Sequence, residues 1–250
     1  MGKFKQRVDT LLVDRGLAQT PKLAQALVLA GKVFEGDRRI DKSGSLVSIQ
    51  TDLWVKSPNR YVGRGGLKLE YAVTAFNLGS GVTAIDIGAS TGGFTDCLLQ
   101  HHFQRVYAVD VGRGQLADRL VTDPRVIVMD KVNAKAPFYL PETVELIVID
   151  VSFISVRKIL VSVSQNLAED GNILALVKPQ FEGRKDQIEK GGVIRDPKLH
   201  AQILGSFGLW AIEAKWRLKG IVRSPIKGHS GNSEFFVWLK PAPKVSWRSG

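Results

Sequence analysis

The chain holds a single cysteine, Cys97, which excludes an intramolecular disulfide and any zinc site built from several thiolates. Nothing in the composition then calls for an oxidising compartment, and a cytoplasmic location is expected. Histidine is equally scarce: His101, His102, His200 and His229 show no ligand spacing, so no metal is expected. Long apolar runs are also missing. The stretch Val144 to Ile149 is interrupted by Glu145 and falls far short of the roughly 20 residues that cross a bilayer, so no membrane association is expected. The first residues, Met-Gly-Lys-Phe-Lys-Gln, are basic, but Asp9 and Asp14 stand where a secretion signal needs an apolar core. Gln6 occupies the position at which N-myristoylation requires Ser or Thr. Acidic residues are in short supply: 24 Asp and Glu oppose 35 Lys and Arg, giving a net charge of +11 over 250 residues. The rest of the composition, 44% hydrophobic and 24% charged, is that of a folded globular protein. A folded protein with this excess favours a polyanionic partner.

The excess is uneven. Residues 1–70 hold 13 Lys and Arg against 7 acids, whereas residues 71–250 hold 22 against 17. Between Lys56 and Lys68 there are Pro58, Gly63, Gly65 and Gly66, with four basic residues and no acid. Such a stretch breaks regular structure, so we expect a small basic domain over residues 1–57, a linker over 58–67 and a larger domain over 68–250. In the first domain Val8, Leu11 and Leu12 suggest a helix that ends at Gly16. Thr20 is a cap for a second helix with Pro21 at its first position. Leu23, Ala26, Leu27 and Ala30 form its expected inward stripe, and Gly31 closes it. Lys32 to Ile40 reads as strand, turn at Gly36-Asp37 and return strand.

From residue 82 the pattern changes to apolar runs alternating with helical segments: Val82 to Ile87, Val106 to Val109, Val126 to Met129, Leu146 to Ile149 and Ile173 to Val177. This is the α/β signature of an open, mainly parallel sheet covered by helices on both faces. Ligands of such sheets bind at the carboxyl ends of the strands. The first run ends in Asp86-Ile-Gly88-Ala89-Ser90-Thr91-Gly92-Gly93-Phe94, where glycines allow a ligand to approach the backbone. The spacing is not the G-x-G-x-x-G of a pyrophosphate site. Asp86 would repel a phosphate but suits the cationic amino or sulfonium end of S-adenosylmethionine. Asp110, ending the second run, can accept both hydroxyls of a ribose, and Asp130, ending the third, can hold an adenine amino group. Three acids on three successive strand ends point to S-adenosylmethionine as cofactor.

The next two runs end in Asp150-Val-Ser-Phe and Val-Lys178-Pro-Gln-Phe-Glu182. Methylation of a base amino group typically uses a Pro-Pro-aromatic turn that Asp150-Val-Ser-Phe lacks. Carbon methylation needs a cysteine near the fourth or sixth strand, and Cys97 stands elsewhere, as a small core residue. A lysine after the fifth run fits oxygen as the nucleophile. A ribose 2′-hydroxyl is a very weak acid; Lys178 can stabilise its developing negative charge as an ammonium, or take its proton as a base, and either role satisfies the pattern. Asp150 would orient Lys178, while Lys68 and Glu234, the latter opening the last apolar run, complete a plausible set.

Two resemblances overlie these residues. Arg7-Val-Asp-Thr-Leu-Leu-Val-Asp-Arg15-Gly and Ala24-Gln-Ala-Leu-Val-Leu-Ala-Gly-Lys32-Val resemble the small α+β RNA-binding domain first named from the fourth small-subunit ribosomal protein. That resemblance implies RNA contacts from Arg7, Arg15, Lys22, Lys32, Arg38 and Arg39. The second runs nearly end to end: Gly63-Arg64-Gly-Gly-Leu-Lys68, Asp86-Ile-Gly-Ala-Ser-Thr-Gly-Gly-Phe, Asp150-Val-Ser-Phe-Ile-Ser, Val-Lys178-Pro-Gln-Phe-Glu and Gly231-Asn-Ser-Glu234. These words resemble the TlyA family, often labelled hemolysin A, whose catalytic domain is related to the FtsJ-type ribose 2′-O-methyltransferases. The resemblance implies a Lys-Asp-Lys-Glu tetrad at Lys68, Asp150, Lys178 and Glu234. It also implies 2′-O-methylation of cytidine in ribosomal RNA from S-adenosylmethionine. The expected architecture is thus a Rossmann-like methyltransferase fold with a small N-terminal RNA-binding domain, acting as a monomer on ribosomal RNA or ribosomal subunits. Arg60 and Arg64 in the linker, and Arg184 and Lys185 in the basic segment after Lys178, are further candidates for RNA contact. The competing readings are a non-catalytic ribosome-binding or assembly factor that retains the fold, and a lytic toxin.

Overall fold

The computed structural model describes residues 4–55, 60–184, 187–188, 191–228 and 230–242. The chain divides into two compact units, Met1–Arg60 and Tyr61–Gly250. In the first, β1 (Lys5–Arg7) leads into α1 (Val8–Asp14) and α2 (Pro21–Leu29), followed by β2 (Val33–Glu35), β3 (Arg38–Arg39), β4 (Leu46–Ser48) and β5 (Leu53–Val55). β1 pairs with β4, and β2 lies between β3 and β5. Thr20 caps α2 by accepting the Leu23 N–H, with Pro21 at the first helical position. The inward face of α2 differs from the expected stripe: Ala24 and Val28 are buried, with Leu27 packed beside them, while Leu23 is 42% exposed and Ala26 and Ala30 face solvent. Both sets have helical spacing, and with so short a helix the small Ala24, enclosed by Leu11, Leu12 and Val33 in one cluster, decides the rotation.

Asp9, buried in α1, receives both Nε and Nη2 of Arg7, at 3.0 and 2.6 Å. The Arg7 guanidinium holds the Asp9 carboxyl down at about 2, against an ordinary 3.8. Because the folded value is the lower one, this stabilisation is complete above the unfolded value and disappears as pH falls through the folded one. Asp9→Asn should therefore cost about 1–2 kcal/mol at neutral pH. Thermal denaturation across acid pH should show parent and variant converging as pH approaches about 2; a constant difference would assign the loss to packing instead.

The second unit begins at Tyr61 rather than at Lys68, so residues 61–67 of the expected linker belong to it. Tyr61 is fully buried and lies against Gly66, where any Cβ would overlap its ring. The Val62 N–H donates to Asp96 Oδ2 at 2.8 Å. Here the glycines that read as helix breakers open α3 (Arg64–Ala75).

The remaining elements are β6 (Thr83–Ile87), α4 (Gly93–Gln100), β7 (Arg105–Asp110), α5 (Asp118–Val121), β8 (Val126–Asp130), β9 (Val144–Ile149), α6 (Val156–Val163), β10 (Leu167–Val177), α7 (Pro179–Glu182), α8 (Pro197–Glu213), β11 (Trp216–Arg223) and β12 (Phe235–Pro241). The seven-stranded sheet has the order β11-β12-β10-β9-β6-β7-β8. β8, β7, β6, β9 and β10 are parallel, and β12 enters antiparallel between β10 and β11. Alternate residues supply two cores: Ala84, Val106, Val148 and Leu176 pack under α3 and α4, and Ile85, Ile147, Ile173 and Val237 under α6 and α8. The strand order reverses between β6 and β9, which opens a crevice at their carboxyl ends.

Candidate active site

Six strand ends and one strand beginning lie along that edge of the sheet. Ile87 is in register with Val109 and Ile149, and Val177 pairs with Phe235. Asp150 therefore follows β9, Lys178 follows β10, and Glu234 precedes β12 directly alongside Lys178. Lys178 Nζ lies 2.7 Å from Asp150 Oδ1 and donates to Ser152 Oγ at 2.9 Å. Lys68, in the second turn of α3, places Nζ 2.6 Å from Glu234 Oε2. Lys68, Lys178 and Glu234 are all buried and Asp150 is half-buried, so one lysine–carboxylate pair is fully enclosed and the other opens towards the cleft. Breaking either pair by removing one partner leaves a charge in a poor solvent.

Beside them is a two-lobed cleft. The larger lobe, about 450 Å³, is lined by Gly88, Ser90, Asp110, Gln115, Asn133, Asp150, Ser152 and Phe153. The smaller, about 170 Å³, is lined by Gly63, Arg64, Gly65, Ala89, Thr91, Gly93 and Phe94 and shares Gly88, Ser90 and Asp150 with the first. Gly88 has φ +85°, and a Cβ there would run into the Asp150 carbonyl oxygen. Only glycine lets β6 and β9 end this close together. Ser90 also adopts a positive φ, +48°, and its N–H donates to Asp110 Oδ2 at 2.8 Å, while Gly112 N–H donates to Oδ1 at 2.7 Å. Asp110 is thereby fixed at the cleft wall.

Several expected cofactor contacts are placed differently. Asp86 is not at the end of its strand but one residue before it, on the face towards α4. It is fully buried, and Oδ2 accepts both the N–H and the Oγ1–H of Thr95, at 2.8 and 2.7 Å. Burial pushes the Asp86 carboxyl up to about 7; the Thr95 hydrogen bonds oppose this, and the nearby charges of Asp150 and Asp110 add to it. The native state consequently holds an extra proton between pH 3.8 and about 7, so this group's contribution to stability falls as pH rises through that window. Asp86→Asn should flatten the corresponding stretch of the melting-temperature profile. An unchanged slope by calorimetry would place the titration on another group.

Asp130 accepts the Gly114 N–H at 2.9 Å and does not line the cleft; Asn133, beyond a turn at Lys131 with φ +60°, lines it instead. Gly92, with φ +95°, packs on Leu116 and Leu120 and lines neither lobe. Ser152, Asn133 and Phe153 are additional lining residues. Ser152 stands in the turn after Asp150 and was open to reading from the sequence; Asn133 carried no signal. Phe153, 90% exposed with φ +64°, packs against Phe181 at 5.3 Å between ring centroids.

Among the expected RNA contacts, Lys22 is exposed and Lys32 half-buried. Arg7 is committed to Asp9, Arg15 donates to the carbonyls of Ile49 and Thr51, Arg38 pairs with Glu35, and Arg39 pairs with Asp41. Arg60, Arg64 and Arg184 are exposed, Arg64 donating to the Lys227 carbonyl at 3.3 Å. Lys185 lies outside the described residues, as do residues 56–59 of the expected linker.

Residues 61–241 match the FtsJ-like methyltransferase family. The chain is 42% identical over 241 residues to the 16S/23S rRNA (cytidine-2′-O)-methyltransferase TlyA of Mycobacterium tuberculosis, covering 94% of this chain and 90% of that protein. A solved structure from Streptococcus thermophilus, described as a hemolysin, has a TM-score of 0.73 at 40% identity, covering 97% of this chain and 90% of that one. A SAM-dependent methyltransferase from Aquifex aeolicus shares the fold, with a TM-score of 0.51 at 19% identity over 71% of this chain and 93% of its own.

Proposed function

The chain belongs to the FtsJ-like methyltransferases, in the TlyA and hemolysin A family, and from that premise we propose that it methylates the ribose 2′-hydroxyl of a cytidine in ribosomal RNA. The observation that carries this reading is the pair of lysine–carboxylate contacts, each made by a buried lysine, beside a cleft wide enough for a nucleoside. S-adenosylmethionine, as cofactor, would supply an electrophilic methyl group carried on a sulfonium. The cleft residues fit it: Asp110 offers carboxylate oxygens to ribose hydroxyls in the larger lobe, with Asn133 available to a base edge. The smaller lobe gives Arg64 and the backbone of Ala89 to Thr91 to the amino-acid part. Asp86, enclosed by Thr95, acts by shaping the turn rather than by contact.

Lys178 is held from two sides, by ion pairing with Asp150 and by a hydrogen bond to Ser152, and its ammonium keeps N–H donors for the substrate oxygen. A donor fixed before the reaction stabilises the charge that grows on that oxygen without reorganisation. Lys68 and Glu234 hold the far side of the site, and burial strengthens both contacts by keeping water out. The first unit, by its resemblance to the ribosomal RNA-binding domain, would grip structured RNA. Its exposed Lys22, Arg38 and Arg39 are suited to phosphate neutralisation.

The decisive experiment is a nucleotide-resolution map of ribose methylation in ribosomal RNA from cells with and without the protein. A cytidine that loses its methyl group in the deletion and regains it on incubation with purified protein and S-adenosylmethionine is the expected result. An identical map in both strains, with no incorporation into subunits across salt conditions, would transfer support to the non-catalytic assembly-factor reading. For the toxin reading, no helix among the described residues is long and apolar enough to cross a membrane.

A further inference from the structure

A second cavity, of about 700 Å³, shares no lining residue with the cofactor cleft. The amino-terminal half of α8 forms one wall, through His200 and Leu204. The end of β11 and the loop that follows form the other, through Arg223 and Lys227, and Arg195 and Phe235 complete it. No carboxylate occurs among its described lining residues. Its floor is apolar, and His200 packs edge-on against Phe235, with 5.5 Å between ring centroids.

The cavity is tied to the catalytic residues through the chain. Phe235 follows Glu234, and Arg223 pairs with Phe235 across the β11–β12 ladder. Gly228, next to Lys227, is pressed so closely by the Glu234 carboxylate that a Cβ there would overlap it. One loop therefore carries both Lys227, one of the cavity's three cations, and the glycine packed on the Glu234 carboxylate.

We propose that this cavity receives the RNA nucleotide adjacent to the one methylated, its phosphate between Arg195, Arg223 and Lys227 and its base on Leu204 and Phe235. This rests on the ribose-methylation reading and assigns a substrate subsite to it. A free inorganic anion has no use for an apolar floor, and an apolar ligand has none for three cations; a nucleotide uses both. The volume suits a small ligand of that size. Guanidinium groups bind phosphate through paired N–H donors, and single-stranded RNA is typically recognised with its bases splayed apart. Gripping one nucleotide beside the target would hold the strand open at the 2′-hydroxyl that faces Lys178.

The test uses the full chain and a fluorescent single-stranded oligocytidylate, with anisotropy read across a salt series. Arg223→Ala should weaken binding about tenfold and lower the salt slope by about one. Leu204→Trp, which fills the floor and leaves every charge in place, should weaken binding and slow methyl transfer to ribosomal subunits. S-adenosylmethionine affinity and melting temperature should stay as in the parent for Arg223→Ala, which lies at an exposed strand end. Parent-like affinity and salt slope in both variants, or no binding by the parent itself, would overturn the assignment. If the parent methylates no RNA while both variants lose the oligonucleotide, the reaction fails and the subsite stands. If methyl transfer runs at the parent rate in both, the subsite alone fails.

Discussion

Lys178→Ala should lower the methyl-transfer rate by about 10²- to 10⁴-fold, the range associated with one positioned proton donor or acceptor, while S-adenosylmethionine still binds. The side chain starts at the cap of α7, immediately after β10, so its base is fixed by the sheet and its head by Asp150 at 2.7 Å and Ser152 at 2.9 Å. On the proposed reading truncation removes the group nearest the reacting oxygen, and it also strands the Asp150 charge. Asp150→Asn separates the two effects, because it keeps Lys178 and removes only the orienting charge. Its loss should be smaller, and Ser152→Ala smaller still. Single-turnover transfer of a labelled methyl group to ribosomal subunits, with cofactor affinity measured in parallel, checks the series. If Lys178→Ala retains more than a tenth of the parent rate, the group closest to the reaction is not this lysine.

Gly88→Ala should have the largest effect on folding of any single methyl addition in the cleft. The residue has φ +85°, and the added carbon would meet the carbonyl of Asp150 and then Val151. The left-handed conformation alone costs a non-glycine residue about 1–2 kcal/mol. Overpacking between two backbone segments, neither of which is a side chain able to swing aside, adds about 1–3 kcal/mol. A total near 3 kcal/mol corresponds to a fall of roughly 6–12 °C in melting temperature for a unit of this size. Cofactor binding should fail with it, since β6 and β9 would be forced apart where the two lobes meet. Gly231→Ala is the control: its φ is +86° but nothing lies within 4 Å of a Cβ there, so only the conformational cost applies. Equal melting temperatures for the two variants would remove the steric explanation.

Much of this arrangement could be read in the sequence because strand ends are punctuated by chemistry. Apolar runs that stop at Asp110, Asp150 and Lys178 mark the carboxyl edge of a parallel sheet, and Glu234 before an apolar run marks the strand that returns beside it. What could not be read depended on which face a residue takes. Asp86 and Ile87 differ by one position, and that difference turns a carboxylate under α4 instead of into the cleft. The inward side of α2 was ambiguous for the same reason, since two interleaved stripes share the helical period. Asn133 replaces Asp130 at the cleft because a left-handed residue, Lys131, bends the chain after β8, and such bends leave no mark in hydrophobic periodicity. Gly65 and Gly66 read as breakers, yet they are needed for contact: Gly93 approaches the Gly66 nitrogen, and Tyr61 fills the space above it. A glycine that ends structure and one that permits close packing look alike until the partner is known.

The position of β12 bears on when the enzyme becomes one during its synthesis. The carboxylate partner of Lys68 lies 166 residues further along the chain, at the start of the strand that inserts between β10 and β11. A nascent chain that has released everything through β10 can already form the cofactor cleft, but Lys68 has no Glu234 and β10 has an open edge. On the proposed reading the catalytic set closes only when β12 leaves the ribosome, so products terminated before it would occupy cofactor and transfer nothing.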